Sequence, residues 1–317
     1  MNTTKSTETN SFDMIILGSG PAGLSAAQYA ARAALKVLVI ENGTSSQAFN
    51  INKLENYPGL FPAVSGPDFM DAMKEQAASF GATFRMTSIT SIDKIGDMFT
   101  LKTDSETFRS STVLIATGAE HRKLGIPGES ELEGRGVSYC ATCDGPFFRN
   151  KRIVVVGGGD AACDEAGYLS TLSKDVTIIH RKGSFRAQKA VAERILANDG
   201  IKKVFNTVVK EIKGTEKVES VVVENTQTGE TSEIKADGVF IFVGMIPRSD
   251  LVEMLPKDEG GYIITNERME TPVKGLYCAG DIRSKSFRQV VTATADGAIA
   301  ADSAGQYIRE KNGEIYK

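Results

Sequence analysis

The sequence has few of the residues that build structural crosslinks, with four cysteines and two histidines among 317 residues. Four cysteines are too few for a disulfide-stapled scaffold. Structural zinc needs four ligands, usually two Cys-x-x-Cys pairs or one pair with two histidines. One such pair is present, Cys140 and Cys143, while Cys163 and Cys278 are isolated. The pair is predicted to be catalytic, with zinc as the less favoured alternative and no metal expected, and the isolated cysteines are predicted to be small buried residues.

An excess of positive charge and a long apolar run are also missing. The formal net charge of −3 gives no electrostatic footprint for nucleic acid or an anionic membrane. No apolar run approaches the roughly 18 residues that cross a bilayer. Residues 1–11 are polar and lack the apolar stretch of a secretory signal, so we expect a flexible tail and a cytoplasmic protein.

Glycine is abundant instead, at 31 residues, and one regular cluster lies near the start. An apolar run over 12–17 predicts a strand that leads into Gly18-Ser19-Gly20-Pro21-Ala22-Gly23. An Ala-rich stretch over 24–34 predicts a helix, and 36–40 a second buried strand. In such a unit the first glycine allows a sharp turn, the second lets a pyrophosphate approach the backbone, and the third allows close helix–strand packing. This context predicts a dinucleotide site.

The same pattern recurs later in the chain. A β-branched run over 153–156 leads into Gly157-Gly158-Gly159-Asp160-Ala161-Ala162, followed by a predicted helix over 162–172 and a strand over 176–179. The alternative hypothesis for each unit is that its glycines only form tight turns and bind no dinucleotide. Two units with equal spacing favour two dinucleotides or two halves of one binding system.

The two units differ after the second strand. The first has Glu41 there, and a carboxylate suits the hydroxyls of an unmodified ribose. The second has a basic cluster at the equivalent point, made of His180, Arg181, Lys182 and Arg186. Guanidinium groups pair with phosphate oxygens, so this cluster favours NADPH over NADH. A solvated basic loop is the alternative.

The Cys-x-x-Cys pair lies between the two units, in Cys140-Ala141-Thr142-Cys143-Asp144. This spacing brings two sulfurs into bonding range when the first cysteine begins a helix, where a thiolate is stabilised. The thiolate is the reactive species in disulfide exchange. Asp144 is in a position to pass protons to and from a departing thiolate.

Matching strand ends predict how the units are connected. The strand over 113–118 ends in small residues, and so does the strand over 239–244. We therefore expect an α/β fold of two Rossmann-like domains with the second inserted into the first. The predicted boundaries are 12–119 and 248–317 for the first domain and 120–247 for the insert.

The remaining segments give weaker signals. Residues 218–243 alternate β-branched residues with polar turns, which predicts a small sheet. A strand over 275–281 runs into Gly280-Asp281, and an Ala-rich helix is predicted over 293–307. An Asp between a strand and a helix suits a ligand that carries hydroxyls and phosphates.

Taken together, these segments resemble the low-molecular-weight thioredoxin reductases over nearly the whole chain beyond the tail. The motifs that carry the resemblance are Gly18-Ser19-Gly20-Pro21-Ala22-Gly23, Glu55-Asn56-Tyr57-Pro58-Gly59, Ala116-Thr117-Gly118, Cys140-Ala141-Thr142-Cys143-Asp144, Gly157-Gly158-Gly159-Asp160, His180-Arg181 with Arg186, and Gly280-Asp281 with Arg288-Gln289.

The resemblance implies FAD in the first domain, NADPH in the inserted domain, a homodimer, and a rotation of the insert during turnover. It also implies that Cys143 lies against the flavin, that Cys140 attacks the thioredoxin disulfide, and that Asp144 is the acid–base group. The FAD residues would be Gly18, Gly20, Pro21, Ala22, Gly23, Glu41, Asn42, Gln47, Asn56, Thr117, Gly118, Gly280, Asp281, Arg288, Gln289 and Val290. The NADPH residues would be Gly157, Gly159, Asp160, Ala161, His180, Arg181, Lys182 and Arg186.

Two departures from the family pattern stand out. Ser45-Ser46-Gln47-Ala48 replaces the usual Gly-Gly-Gln-Leu and removes the backbone freedom of two glycines. Lys182 replaces an arginine and keeps its charge without its bidentate geometry. The alternatives are a related reductase that uses NADH, ferredoxin or a glutaredoxin-like acceptor, and a redox-sensing flavoprotein without turnover.

Overall fold

The computed structural model describes residues 10–43, 46–51 and 53–314. Most of the predicted tail lies outside these residues. So does Ser45 of the Ser45-Ser46-Gln47-Ala48 segment. The chain forms two compact units. One contains the residues up to Glu120 and from Ile246 onward, and the other is His121–Met245. The second is inserted into the first, which confirms the predicted fold class.

Helices and strands alternate in two stretches of the chain, 11–86 and 137–204. In chain order they are β1 (Ser11–Leu17), α1 (Pro21–Arg32), β2 (Val37–Glu41), α2 (Gly66–Ser79), β3 (Thr83–Met86), β4 (Ser91–Ile95), β5 (Met98–Lys102), β6 (Thr107–Ile115), β7 (Ala119–His121), β8 (Val137–Ser138), α3 (Ala141–Asp144), β9 (Ile153–Gly157), α4 (Asp160–Leu172), β10 (Val176–Ile179), α5 (Lys189–Leu196), β11 (Ile201–Val204), β12 (Thr207–Gly214), β13 (Val218–Asn225), β14 (Thr231–Lys235), β15 (Gly238–Phe242), β16 (Met245–Pro247), β17 (Leu276–Cys278) and α6 (Val290–Lys311).

A seven-stranded sheet forms the first unit, in the order β3-β2-β1-β6-β5-β4 with β17 also paired to β6. Strands β1, β2, β3, β6 and β17 run parallel to one another. Strand β5 pairs antiparallel with both β6 and β4. Residues 14–17 of β1 are buried without alternation. Continuous burial is expected for a parallel strand covered on both faces.

The inserted unit is built around a parallel sheet in the order β11-β10-β9-β15-β8, beside an antiparallel sheet β12-β13-β14. The prediction of one small sheet over 218–243 is wrong for its last strand. Strand β15 joins the parallel sheet, where four of its five residues are buried, whereas four of the five residues of β14 are exposed.

Both helices that follow the glycine turns begin earlier than predicted. Helix α1 starts at Pro21 instead of 24, and α4 starts at Asp160 instead of 162. The second glycine of each turn, Gly20 or Gly159, is an extended N-cap, so the next residue already lies in the helix. Proline is well suited to that first helical position.

The core of the first unit depends on small side chains where α1 crosses α6. The buried residues there are mostly alanine, including Ala22, Ala26 and Ala30 on α1 and Ala300 and Ala304 on α6. A Cβ on Gly297 would overlap the backbone carbonyl of Ala22. The two helix backbones therefore approach as closely as sterics allow.

None of the helices in the described part of the chain is long and apolar enough to span a membrane. The longest, α6, has 22 residues and carries charged side chains such as Asp296 and Asp302.

Gly297→Ala is expected to destabilise the protein by about 1–3 kcal/mol, because its Cβ has no space against the α1 backbone. Gly305→Ala is the matched control on the same helix, since its Cβ would meet only ordinary contacts. That control should be neutral or stabilising by roughly 0.5–1 kcal/mol. Urea unfolding measures both, and equal stability of the two variants would contradict the close crossing.

Candidate functional site

The Cys-x-x-Cys pair forms a disulfide at the start of a short helix. Cys140 is the N-cap of α3, and its Cα lies 5.4 Å from that of Cys143. The backbone N–H of Cys143 donates to the Cys140 Sγ at 3.1 Å. An amide donor on this sulfur would stabilise a Cys140 thiolate once the disulfide is opened. Cys140 is half-buried and Cys143 is exposed.

Ser138 links this disulfide to the neighbouring carboxylate. Its hydroxyl donates to the Asp144 Oδ2 at 2.6 Å and accepts the backbone N–H of Cys140 at 3.0 Å. Ser138 lies at the end of β8 and is buried. It therefore holds the Asp144 carboxylate at a set position beside the disulfide. Sequence reasoning missed this serine, whose one signal is its place at a strand end two residues before Cys140.

A buried carboxylate anchors the residue before Cys140. Glu129 accepts the backbone N–H groups of Leu124 and Gly125 at 2.8 and 2.7 Å, and the Tyr139 hydroxyl at 2.8 Å. Burial, together with the hydrogen bond to Glu129, raises the pKa of Tyr139. The phenol therefore stays protonated and keeps donating to Glu129. This anchor was also absent from the sequence prediction.

The first glycine turn packs as its spacing predicted. Gly18 has φ +109°, and a Cβ there would overlap the carbonyl of Ala116 in the segment after β6. A Cβ on Gly23 would overlap the carbonyl of Gly18, which brings α1 close to β1. The N-terminus of α1 is thus held at the edge of the sheet, where backbone N–H groups are available to an anion.

The predicted flavin residues gather at that same edge. The carboxyl ends of neighbouring parallel strands meet there. Gly18, Gly20, Pro21, Ala22 and Gly23 follow β1; Glu41, Asn42 and Gln47 end or follow β2; Thr117 and Gly118 follow β6; and Gly280 and Asp281 follow β17. Asn56 donates to the side chain of Gln289 at 2.9 Å, just before Val290 begins α6.

Several of these side chains are already held by the protein. Both oxygens of Glu41 accept from Lys74 Nζ, at 3.0 and 2.9 Å, a contact that sequence reasoning missed. Gln47 donates to the Ala119 carbonyl at 2.6 Å, and the Thr117 hydroxyl donates to the Arg248 carbonyl at 2.7 Å.

Two polar atoms near the end of β17 are buried without a hydrogen bond among the described residues. They are Oδ1 of Asp281 and Nε of Arg288. Burial raises the pKa of Asp281, and the guanidinium of Arg288 lies over the Tyr262 ring at 3.7 Å. Unsatisfied buried groups are costly in a folded protein. A nucleotide with hydroxyls and phosphates would supply the missing partners, so these residues fit a flavin dinucleotide.

The second glycine turn is tied to the basic loop. The N–H of Arg186 donates to the Gly158 carbonyl at 2.6 Å. Asp160 accepts from the backbone and side chain of Gln188, at 2.7 and 3.2 Å. The space above Gly159 is open, since a Cβ there would meet nothing within 4 Å. A phosphate has room to approach this backbone, beside Ala161 in the first turn of α4.

His180 has a different environment from the rest of its cluster. Its ring is buried beneath Gly158, where a Cβ would overlap it. Burial, and then the charges of Arg186, Arg181 and Lys182, lower its pKa. The imidazole is therefore neutral near pH 7, and the exposed positive charge of the cluster belongs to Arg181, Lys182 and Arg186.

The two isolated cysteines are fully buried, as predicted. Burial raises the pKa of Cys163 to about 11 and that of Cys278 further in the same direction. Neither thiol is ionised at neutral pH, so neither is suited to disulfide exchange.

Glu165 on α4 is half-buried, and burial together with the Asp164 charge raises its pKa to about 7. The folded protein therefore favours the protonated carboxyl of Glu165. Its contribution to the free energy of unfolding is lost as the pH rises through about 7. Glu165→Gln removes the ionisation. We expect it to be more stable than the wild type at pH 8.5 by about 1–3 kcal/mol, with little difference at pH 5.

Thermal melts at the two pH values test this expectation. The exposed Glu216→Gln variant is the control and should match the wild type at both. A Glu165→Gln advantage that is the same at pH 5 and pH 8.5 would show that ionisation is not its cause.

Comparison with known proteins gives consistent matches over this whole arrangement. The family model for pyridine nucleotide-disulphide oxidoreductases matches residues 12–297. The thioredoxin reductase of Treponema pallidum (strain Nichols) is 53% identical, covering 94% of this chain and 97% of that protein. That of Bacillus subtilis (strain 168) is 48% identical, covering 94% and 95%. The crystal structure of Lactococcus lactis thioredoxin reductase matches with a TM-score of 0.90 at 43% identity, covering 94% and 99% of the two chains.

Proposed function

This chain belongs to the pyridine nucleotide-disulphide oxidoreductase family, among the thioredoxin reductases, and we propose that it passes electrons from NADPH through FAD and the Cys140–Cys143 disulfide to thioredoxin. The observation that carries the proposal is the disulfide at the N-terminus of α3, in a chain with two dinucleotide turns. A homodimer in the cytoplasm follows the family pattern, and sedimentation of the purified protein tests the dimer.

FAD is assigned to the first unit. The turn at Gly18 and the N-terminus of α1 would bind its pyrophosphate, while Glu41 and Asp281 would accept hydroxyl groups. Bound there, FAD would supply the two-electron chemistry that links a nicotinamide hydride to the disulfide. Lys74 keeps the Glu41 carboxylate in one orientation for its ribose contact.

NADPH is assigned to the inserted unit. The turn at Gly157, with the open space above Gly159, would bind the pyrophosphate at the N-terminus of α4. Arg181, Lys182 and Arg186 would pair with the 2′-phosphate. An intact second turn with two arginines disfavours ferredoxin as the electron donor.

The disulfide exchange is carried by residues around α3. Two electrons and two protons convert the Cys140–Cys143 disulfide into a dithiol. The Cys140 thiolate then attacks the thioredoxin disulfide, forming a mixed disulfide and releasing one thioredoxin thiolate. Cys143 attacks the Cys140 sulfur, which restores the first disulfide and releases the second thiolate. Asp144, held by Ser138, is placed to move protons between these sulfurs.

Steady-state oxidation of NADPH and NADH, with and without thioredoxin, tests the function. NADPH oxidation should depend on thioredoxin and exceed NADH oxidation.

Cys140→Ser should lose thioredoxin reduction by at least about 1000-fold, because the attacking thiolate is gone. NADPH should still bleach the flavin in that variant, which serves as the internal control. A Cys140→Ser enzyme that reduces thioredoxin at the wild-type rate would refute the mechanism.

Removing the charge of Arg181 and Arg186 tests the nicotinamide assignment. Arg181→Gln with Arg186→Gln should raise the KM for NADPH by roughly 10–100-fold, since a charged hydrogen bond contributes about 1.5–3 kcal/mol. The KM for NADH should change less than about twofold, because NADH lacks the 2′-phosphate. Lys174→Gln, at the opposite end of α4, is the exposed control. Equal effects on both cofactors would contradict the assignment.

A further inference from the structure

We propose that Asp296 of α6 is a positioning residue for the flavin nucleotide, holding Lys285 away from full pairing with Asp281 so that the Asp281 carboxylate can accept a nucleotide hydroxyl. This inference rests on the proposed FAD assignment and adds to it a residue that does not itself contact the nucleotide.

Asp296 is the centre of a buried hydrogen-bond cluster. Its side chain is 9% exposed. Oδ2 accepts the backbone N–H of Gly280 and the Lys285 Nζ, both at 3.1 Å, and Oδ1 accepts Nη1 of Arg283 at 3.1 Å. These three donors flank the short 3₁₀ turn Gly280–Ile282, which contains Asp281. Asp296 therefore fastens that turn to α6 on both sides.

The cluster joins two carboxylates to several cations. Asp281 and Asp296 face Arg283 and Lys285, and the charge of Arg288 also acts on Asp281. Arg283 also donates from Nε to the Thr265 hydroxyl at 2.9 Å. Buried charges are tolerated when they are paired, and removing one partner leaves the others uncompensated. The arrangement is thus sensitive to a change of a single charge.

Lys285 is shared unequally between the two carboxylates. Its Nζ lies 3.1 Å from Asp296 Oδ2 and 3.4 Å from Asp281 Oδ1, and its side chain is 8% exposed. Apart from this long contact, the Asp281 Oδ1 has no hydrogen-bond donor within the described chain. Asp296 thus competes for the ammonium and leaves Asp281 with an unused acceptor.

Two cations near Asp281 also reduce an electrostatic repulsion. A carboxylate that binds nucleotide hydroxyls close to a pyrophosphate repels that anion unless a cation lies nearby. Lys285 at 3.4 Å and the guanidinium of Arg288 both offset the Asp281 charge. Removing the Asp296 charge would let Lys285 pair fully with Asp281, which closes the acceptor to the nucleotide.

The test compares FAD binding by a single and a double variant of the holoenzyme. Asp296→Asn should weaken FAD binding at least tenfold. Asp296→Asn combined with Lys285→Met removes the ammonium that would pair with Asp281 and keeps the charge of Arg288 close to that carboxylate, so it should recover much of the lost affinity. Asp302→Asn, an exposed position on the same helix, is the control and should stay within twofold of the wild type. The dissociation constant is measured from flavin that passes an ultrafiltration membrane after dilution.

Rescue by Lys285→Met separates positioning from a general loss of stability. If Asp296→Asn acted only by destabilising the protein, a second substitution in the same cluster would not restore the FAD affinity. An Asp296→Asn variant that keeps wild-type FAD affinity would overturn the proposal, as would a double variant that binds FAD more weakly than Asp296→Asn alone. A wild-type protein that retains FAD but does not reduce thioredoxin would contradict the proposed function. In that event the FAD dissociation constants would still decide the role of Asp296.

Discussion

The close approach of α1 to both β1 and α6 is the constraint on which the first unit depends. It is possible because Gly23 and Gly297 have no Cβ where the neighbouring backbone carbonyls lie. With the helices this close, the N-terminus of α1, the ends of β6 and β17, and the start of α6 converge on one edge of the sheet. Backbone amides of the α1 N-terminus and the Asp281 carboxylate therefore lie at a common edge.

The inserted unit contains a second glycine turn of the same kind. Its glycine turn is packed on a neutral His180, and the basic loop is attached to it through Arg186 and Gln188. The disulfide lies on another strand end of the same unit, after β8. Ser138 and Glu129 hold the residues around Cys140 by hydrogen bonds that are largely shielded from water. One unit thus brings the second glycine turn with its basic loop to one strand end and the disulfide to another.

Much of this arrangement could be predicted from local patterns. The strand–glycine–helix units, the insertion and the disulfide-forming pair all follow from short motifs, because glycine sterics and Cys-x-x-Cys spacing act over a few residues. The errors were also local in origin. The helix starts were placed too late because the N-cap is the second glycine of the turn, and β15 was assigned to the wrong sheet because strand partners are not encoded in spacing.

By itself the sequence determined the types of element, their order and the chemistry of the motif residues, since each depends on neighbours along the chain. Only the tertiary structure decided the partners of charged and polar groups that are far apart in sequence. Lys74 with Glu41 and Asp296 with Arg283 and Lys285 are such groups. Their pairing follows from burial and distance after packing. An aspartate within an Ala-rich helix carries no sign of the buried cations that it will meet.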